Sequence, residues 1–363
     1  MRILVVGAGL SGCTVARTLA EAGHNLHIIE KRNHIAGNCY DVINHQGIRV
    51  SQYGAHLFHT NSERVWDYVQ RFAEWVPWRH QVVGHIKDKW FPIPVNRTTI
   101  CTLLGVQLET EDDVKQWLAR HAIPCENPQN SEDVAVQRVG HELYEAIFHH
   151  YTYKQWAKYP SELDPSVLAR IPVRTDDNAD YFSDRFQALP KEGYTAFVER
   201  MVDHPHIRIS LNTEYHPDMR ADYDAICYTG PIDQYFTGHP PLEYRSIRFE
   251  TEYLEVDQFQ SNSVVNYPSP HEPYTRIVEY KHFLNQHAPG KTTIVKEYTM
   301  AEGEPYYPVP NPANQARYEE YRARAEKETG VYFVGRLANY KYYNMDAAIE
   351  NALQFASDFI LSH

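Results

Sequence analysis

The sequence predicts an α/β chain: a parallel sheet of the nucleotide-binding type, assembled from discontinuous pieces, with a helical insertion and an antiparallel-sheet insertion. Three observations predict it. The chain opens on a buried strand, a glycine turn and a helix, "RILVVGAGLSGCTVARTLAEAG". It closes on the same kind of arrangement, "VYFVGRLANYKYYNMDAAI". Between the two, the text turns first helical and then strand-rich.

The elements follow in order. "RILVV" is continuously apolar, the mark of a strand buried on both faces. "LSGCTVARTLAEAG" has helical spacing and stops at Gly23. "HNLHIIE" is a second strand, ending on Glu30. From Thr98 to Lys158 the text reads as helix, including one continuous run "SEDVAVQRVGHELYEAIFHHYTYKQW". "TEDD" and "SEDV" each set a hydroxyl before acidic first-turn residues, which predicts caps at Thr110 and Ser131. "ARIPVRTDDNADYFSDRF" has no period and reads as a long loop, a kind of segment that usually carries function. "YTAFVERMV" reads as a helix, and "HIRISL" and "YDAICYTG" as strands. From Tyr244 to Tyr298 the segments "YRSIRFETEYLEV", "NSVVNY", "YTRIVEYKHF" and "KTTIVKEY" alternate and favour an antiparallel sheet. A helix over Pro312–Thr329 leads into the closing stretch.

The resulting division is a cofactor domain from residues 1–77, 185–240 and 325–363. A helical domain covers 95–184, with a mobile loop at about 165–180, and an antiparallel-sheet domain covers 78–94 and 241–324.

Bulk properties narrow the function. A net charge of −12 disfavours non-specific nucleic-acid binding, because no broad positive field exists. No apolar run approaches the roughly 20 residues of a membrane span. The N-terminus runs straight into a strand, with no leader pattern, so a cytoplasmic protein is expected. The five cysteines are scattered and form no C-x-x-C, so neither a zinc site nor a disulfide framework is read. The 27 tyrosines suit a wet cleft that stacks rings and donates hydrogen bonds, and equally suit sheet packing.

Gly7, Gly9 and Gly12 form G-x-G-x-x-G between a strand and a helix. The first permits the turn, the second lets backbone approach a pyrophosphate, and the third lets the helix pack on the strand. Leu10 and Ser11 begin that helix, whose N-terminal N–H groups favour phosphate. Glu30 closes the second strand, where a carboxylate can accept both ribose hydroxyls, and it argues against a 2′-phosphate. "KRNHIAGN" then sets a basic pair, starting at Lys31, before a glycine turn carrying Asn38. This resembles FAD-binding folds of the glutathione-reductase type. FAD is longer than one βαβ crevice and needs a second anchor. The strand ending in Gly335 and the helix starting near Met345 are read as supplying it with further N–H groups.

"YGAHLFHT" (Tyr53–Thr60) carries two histidines, His56 and His59, with no third ligand nearby, so no metal is assigned there. With "HYTYKQW", "RIPVR", "YFSDR", "YTGPIDQYF", "LEYRS", "YTRIVEYKHF", "EPYYPV" and "GRLANYKYYNMD" in that order, the chain resembles the UDP-galactopyranose mutase family along its whole length. The resemblance implies a flavin-dependent isomerase with no net redox change. It would interconvert UDP-galactopyranose and UDP-galactofuranose for cell-surface polysaccharide. In that scheme N5 of reduced FAD attacks the anomeric carbon and displaces UDP. The ring opens through an iminium and recloses. A reductant such as NAD(P)H or a reductase, and a homodimer, are implied with it.

Arg170 and Arg276 are the candidates for holding the diphosphate, since a guanidinium meets phosphate in fork geometry. The remaining roles come from the resemblance. Tyr181, Tyr307 and Tyr342 would hydrogen-bond the phosphates. Tyr151, Thr152 and Asn266 would take the uridine, and Trp156 and His80 the sugar end. His59 would face the flavin, with His56, Leu57, Arg336, Asn344 and Met345 around it. The chain departs from the family at Ala36, usually glycine, at Asn344, commonly aspartate, and at His80, often asparagine. These departures keep a related sugar open, an N-acetylated or 6-deoxy hexose on UDP or dTDP. A rival reading is a flavin oxidoreductase of the amine-oxidase type.

Overall fold

The computed structural model describes residues 1–363. The central sheet has five strands in the spatial order Ile207–Ser210, Asn25–Ile29, Arg2–Val6, Ala225–Tyr228 and Val331–Phe333, every pair parallel. Both ends of the chain and a middle piece thus lie side by side. The first helix, Leu10–Glu21, packs against the last, Met345–Ser362, and against Gly193–Val202. Val5, Val15, Leu19, Ile28, Phe197 and Ala352 are fully buried in the core they share.

A second sheet has seven strands: Tyr307–Pro308, Tyr244–Leu254, Thr292–Met300, Arg276–Glu279, Val264–Asn266, Val82–Ile86 and Lys89–Ile93. It is antiparallel throughout except for one pair. Val264–Asn266 runs parallel to Val82–Ile86, a strand that arrives from before the helical insertion and not through a tight turn. "YTRIVEYKHF" pairs only over Arg276–Glu279; Leu284 and Asn285 adopt left-handed backbone and curl Tyr280–Asn285 into a short 3-10 turn. A small antiparallel sheet of Phe58–Thr60, Phe186–Pro190 and Trp75–Pro77 holds His59.

The helical insertion departs from the sequence reading in two places. Thr110 caps its helix as predicted, accepting from the Asp113 N–H at 3.2 Å. Ser131 does not: Asn130 accepts from the Asp133 N–H at 3.0 Å, while the Ser131 hydroxyl donates to the Asp164 carbonyl at 2.6 Å. The predicted continuous helix is also interrupted. Gly140 sits at φ 77°, ψ 173°, and Tyr144–His149 widens into a π-helix. A Cβ on Gly140 would lie 2.5 Å from the His121 carbonyl oxygen, so this is where the neighbouring helix Glu111–His121 presses closest. Residues 170–185 contain no helix or strand, only single bridges Val95–Val173 and Gln81–Asp180. The insertion and the seven-stranded sheet share a core of Trp117, Leu143, Ile147, Trp156, Val264 and Val278. No helix is long and apolar enough to cross a membrane.

Candidate active site

The first glycine turn is closed by contact. Gly7 takes φ 107°, and a Cβ on Gly12 would lie 2.0 Å from the Gly7 carbonyl oxygen. Gly9 differs: a Cβ there would meet nothing nearer than Gly37 Cα at 3.8 Å. Packing within the chain does not demand that glycine, whereas a pyrophosphate lying against the backbone does. The helix it caps has no side-chain cap, leaving first-turn N–H groups open. Glu30 is buried and accepts from the Ala8 and Arg32 N–H groups, each at 2.9 Å, which fixes it at the end of its strand. Ala36 takes φ 71°, so the alanine adopts the backbone that a glycine would occupy freely.

The closing turn docks on the opening one. A Cβ on Gly335 would lie 2.6 Å from Ser11 Oγ. The Gly335 N–H is already donated to Asn339 and Asn351, at 3.1 and 3.0 Å. Gly335 therefore serves the contact between turns and offers no N–H to a flavin, which corrects the sequence reading. Two groups take its place. The helix from Met345 has no side-chain cap on Asn344, and both residues line the main cavity. Arg336 lines it too, with buried Nε and Nη2 that find no partner in the chain. The open cradle at Gly9 and the unpartnered Arg336 fit a dinucleotide with a flavin end.

That cavity, of about 470 Å³, lies between the two insertions, the Tyr53–His59 segment and the closing stretch from Arg336 to Met345. It gathers the residues expected to act on the substrate: Arg170, Arg276, His59, Tyr342, His80, Tyr151, Thr152, Trp156, Tyr181, Asn266 and Tyr307 all line it, and His56 and Leu57 join them. Gly7, Gly9, Leu10, Ser11, Gly12, Glu30, Lys31 and Asn38 stand apart, around the opening turn. Lys31 is paired with Glu304 at 2.9 Å, and Asn38 accepts from Arg32 at 3.0 Å.

Three guanidiniums shape the cavity. Arg276 lies directly across from Asn266 on one neighbouring strand and Glu297 on the other. Its Nε donates to buried Glu297 at 2.6 Å, which leaves both terminal nitrogens free. Burial opposes its charge most strongly, but Glu297, Tyr151 and Tyr307 together reverse that effect, and its pKa rises well above the ordinary arginine value. Arg170 lies 4.5 Å over the Tyr342 ring; Arg336 lies 4.7 Å over the same ring and 4.6 Å over Tyr307. Such stacking holds a cation without cancelling it. Burial alone would raise the Tyr342 phenol, but Arg170 and Arg336 bring it below its usual value.

The opposite wall carries His59. Its Nδ1 meets Asp184 Oδ2 at 3.0 Å, and its ring stacks on Phe182 at 3.7 Å between centroids. His80 is buried with Nδ1 unpartnered. Burial, then Arg276 and His59, push its pKa down to about 3. Sequence reasoning missed Glu297, Asp184 and Phe182. The string "YFSDR" contained two of them, but their contact with His59 depends on pairing that no local pattern reveals.

A family profile described as UDP-galactopyranose mutase matches residues 146–342, and one described as an NAD(P)-binding Rossmann-like domain matches residues 5–72. The chain is 40% identical to a probable UDP-galactopyranose mutase of Klebsiella pneumoniae, over 99% of its own length and 95% of that protein. The chain belongs to the UDP-galactopyranose mutase family. It is also 34% identical to a dTDP-fucopyranose mutase of Escherichia coli, over 99% of this chain and 98% of that one. A crystal structure of a reduced UDP-galactopyranose mutase matches with a TM-score of 0.80 at 16% identity, covering 99% of this chain and 95% of that chain. At that identity the match speaks for the fold, a Rossmann-like α/β architecture that the mutase family shares with this chain.

Proposed function

We propose that this chain interconverts UDP-galactopyranose and UDP-galactofuranose with FAD in its reduced form. The observation that carries the reading is the set of three guanidiniums around Tyr307 and Tyr342, in one cavity of a family member whose net charge is −12. Arg170 and Arg336 have no carboxylate partner and Glu297 meets Arg276 only at Nε, and such a cluster is costly unless an anion joins it.

FAD would lie from the Gly9 cradle and Glu30 toward Arg336 and the open helix start at Asn344–Met345. When bound and reduced it supplies a nucleophilic N5 next to the anomeric carbon, with no net oxidation. The free fork of Arg276, with Arg170, Tyr181, Tyr307 and Tyr342, holds the diphosphate while its bond to the sugar is broken, so the nucleotide stays in place for reclosure. Tyr151, Thr152 and Asn266 take the uridine. Asp184 keeps a proton on His59 Nδ1, which presents Nε2 to the reacting end of the cavity. Trp156, Ile147 and Phe182 exclude water there. The reading includes a cytoplasmic homodimer, reduced by NAD(P)H or a reductase, that supplies galactofuranose for cell-surface polysaccharide.

A second reading, a mutase of a dTDP-linked 6-deoxy hexose, is favoured by the dTDP-fucopyranose mutase relative. One anaerobic assay separates them: dithionite-reduced enzyme, a panel of UDP- and dTDP-linked furanoses, and chromatographic analysis of products. Faster turnover of UDP-galactofuranose than of dTDP-fucofuranose supports the first reading. Protein without flavin, or equal turnover by oxidised enzyme, overturns both. The diphosphate clamp is tested with Arg276→Ala combined with Glu297→Gln, because Arg276→Ala alone strands a buried carboxylate at a cost of about 3–5 kcal/mol. The double variant should retain FAD and lose at least about a hundredfold in turnover; near-normal turnover refutes the clamp.

A further inference from the structure

The helical segment that lines the cavity carries a second cluster, outside the cavity. Glu145, His149 and His150 each offer a ligand atom, and the three atoms lie within 4.8 Å of one another. None of the three lines the substrate cavity. His149 Nδ1 is 2.7 Å from Glu145 Oε2, and the His149 and His150 rings are parallel within 3°, with centroids 4.9 Å apart. His141 Nε2 lies 4.0 Å from the other Glu145 oxygen.

We propose that Glu145, His149 and His150 form a binding site for a divalent transition metal of the zinc, cobalt and nickel class. A Glu–His contact at i, i+4 is by itself an ordinary helical ion pair. The inclusion of His150 is not ordinary. In an α-helix, with 3.6 residues per turn, residues i and i+5 point about 140° apart. The π-helix over Tyr144–His149 adds a residue to the turn and brings both i+4 and i+5 beside Glu145. Ordinary helical spacing separates these side chains, so no local pattern in the sequence marks the cluster.

Two imidazoles and one carboxylate match the donor set that zinc-class ions take, with water in the fourth position. Ligand atoms about 3.4 Å apart suit tetrahedral bonds of 2.0–2.1 Å. Binding requires the two imidazoles to turn out of their parallel stack, because each nitrogen lone pair lies in its ring plane; all three side chains are only partly buried. Tyr144 lies parallel to His149 at 5.5 Å, and Tyr159 stands edge-on at 5.1 Å, so aromatic rings border the site. A metal here would fasten the π turn one residue before Tyr151, which lines the cavity.

The test is a Co(II) chloride titration of the full-length, FAD-loaded protein, read by visible d–d absorption and competed with Zn(II). One Co(II) per chain with an intense, tetrahedral-type band is expected. Affinity should fall at least about tenfold in His149→Ala and in His150→Ala, and should be unchanged in His204→Ala, which disturbs a different histidine pair. Zn(II) should raise the melting temperature of the parent and not of His150→Ala. Co(II) binding that is octahedral, indifferent to both substitutions, or confined to millimolar concentrations overturns the site.

Discussion

Replacing His80 with asparagine isolates an acid sensitivity built into the cavity wall. His80 is 4% exposed, and its pKa is held near 3 by burial first and by the Arg276 guanidinium. In the unfolded chain it returns to about 6.5. Below that value the unfolded chain takes up a proton that the folded chain refuses. The contribution to stability is therefore complete above pH 6.5, shrinks as pH falls, and levels off below about 3. At pH 5 the loss spans about 1.5 pH units at about 1.4 kcal/mol each, or about 2 kcal/mol. Unfolding entropy of about 2.1 cal/mol/K per residue turns this, for 363 residues, into a melting shift of about 3 °C. The assay is thermal unfolding of parent and His80→Asn at pH 7.5 and pH 5.0. The difference between the two proteins should move by about 3 °C in favour of the variant at the lower pH. A difference that stays constant with pH refutes the buried neutral imidazole.

Three further outcomes follow from the geometry. Gly9→Ala should fold normally, within about 0.5 kcal/mol, yet purify with much less flavin absorbance, whereas Gly12→Ala should fail to accumulate because its Cβ meets the Gly7 carbonyl oxygen at 2.0 Å; full flavin content in Gly9→Ala contradicts the cradle. Asp184→Asn should lower kcat by at least about tenfold and displace its pH profile, with KM and flavin content held and partial recovery in Asp184→Glu, because an amide no longer fixes the His59 proton; an unchanged profile removes Asp184 from the mechanism. Lys154 donates to the carbonyls of Ser269, Glu272 and Tyr274 at 2.8, 3.0 and 3.1 Å, and also to that of Tyr267. Lys154→Met should cost about 3 kcal/mol in urea unfolding and weaken UDP binding measured by calorimetry, since this clamp closes the hairpin between Asn266 and Arg276; UDP binding at parental strength argues against it.

Sequence legibility tracked how local the cause was. The opening turn was readable because three glycines and a carboxylate at fixed spacing dictate its geometry. The helix start at Asn344–Met345 was readable because a polar aromatic loop gives way there to a helical run. The role of Gly335 was not, because the atom it avoids is Ser11 Oγ at the other end of the chain. At "NSED" both Asn130 and Ser131 can cap a helix, and the Asp164 carbonyl decides by engaging the serine. The π-helix left no trace, since its residues are equally good α-helix formers. Arg276 was legible as a cation on a strand; Glu297, which directs it, emerges only from strand register. The residues expected to act on the substrate, which many short strings in order point to, all line one cavity, yet Glu297 and Asp184, which orient Arg276 and His59, lie outside those readings.

Glu297 and two tyrosine rings explain how an acidic chain keeps a cationic cavity. Glu297 engages only Nε of Arg276, so it orients the side chain and leaves the fork for a phosphate. Arg170 and Arg336 are held by rings instead, sharing the two faces available on Tyr342 and Tyr307. A carboxylate in place of Tyr342 would hold both arginines more strongly and would also neutralise them. The phenol fixes their position while their charge remains available. A nucleoside diphosphate gains a negative charge when its bond to sugar breaks, so a preformed cluster of free guanidinium charge favours the departing nucleotide over the bound one. In the proposed reaction retention would follow from the same contacts, because the charge that eases departure would also hold the nucleotide beside the opened sugar until the ring closes again.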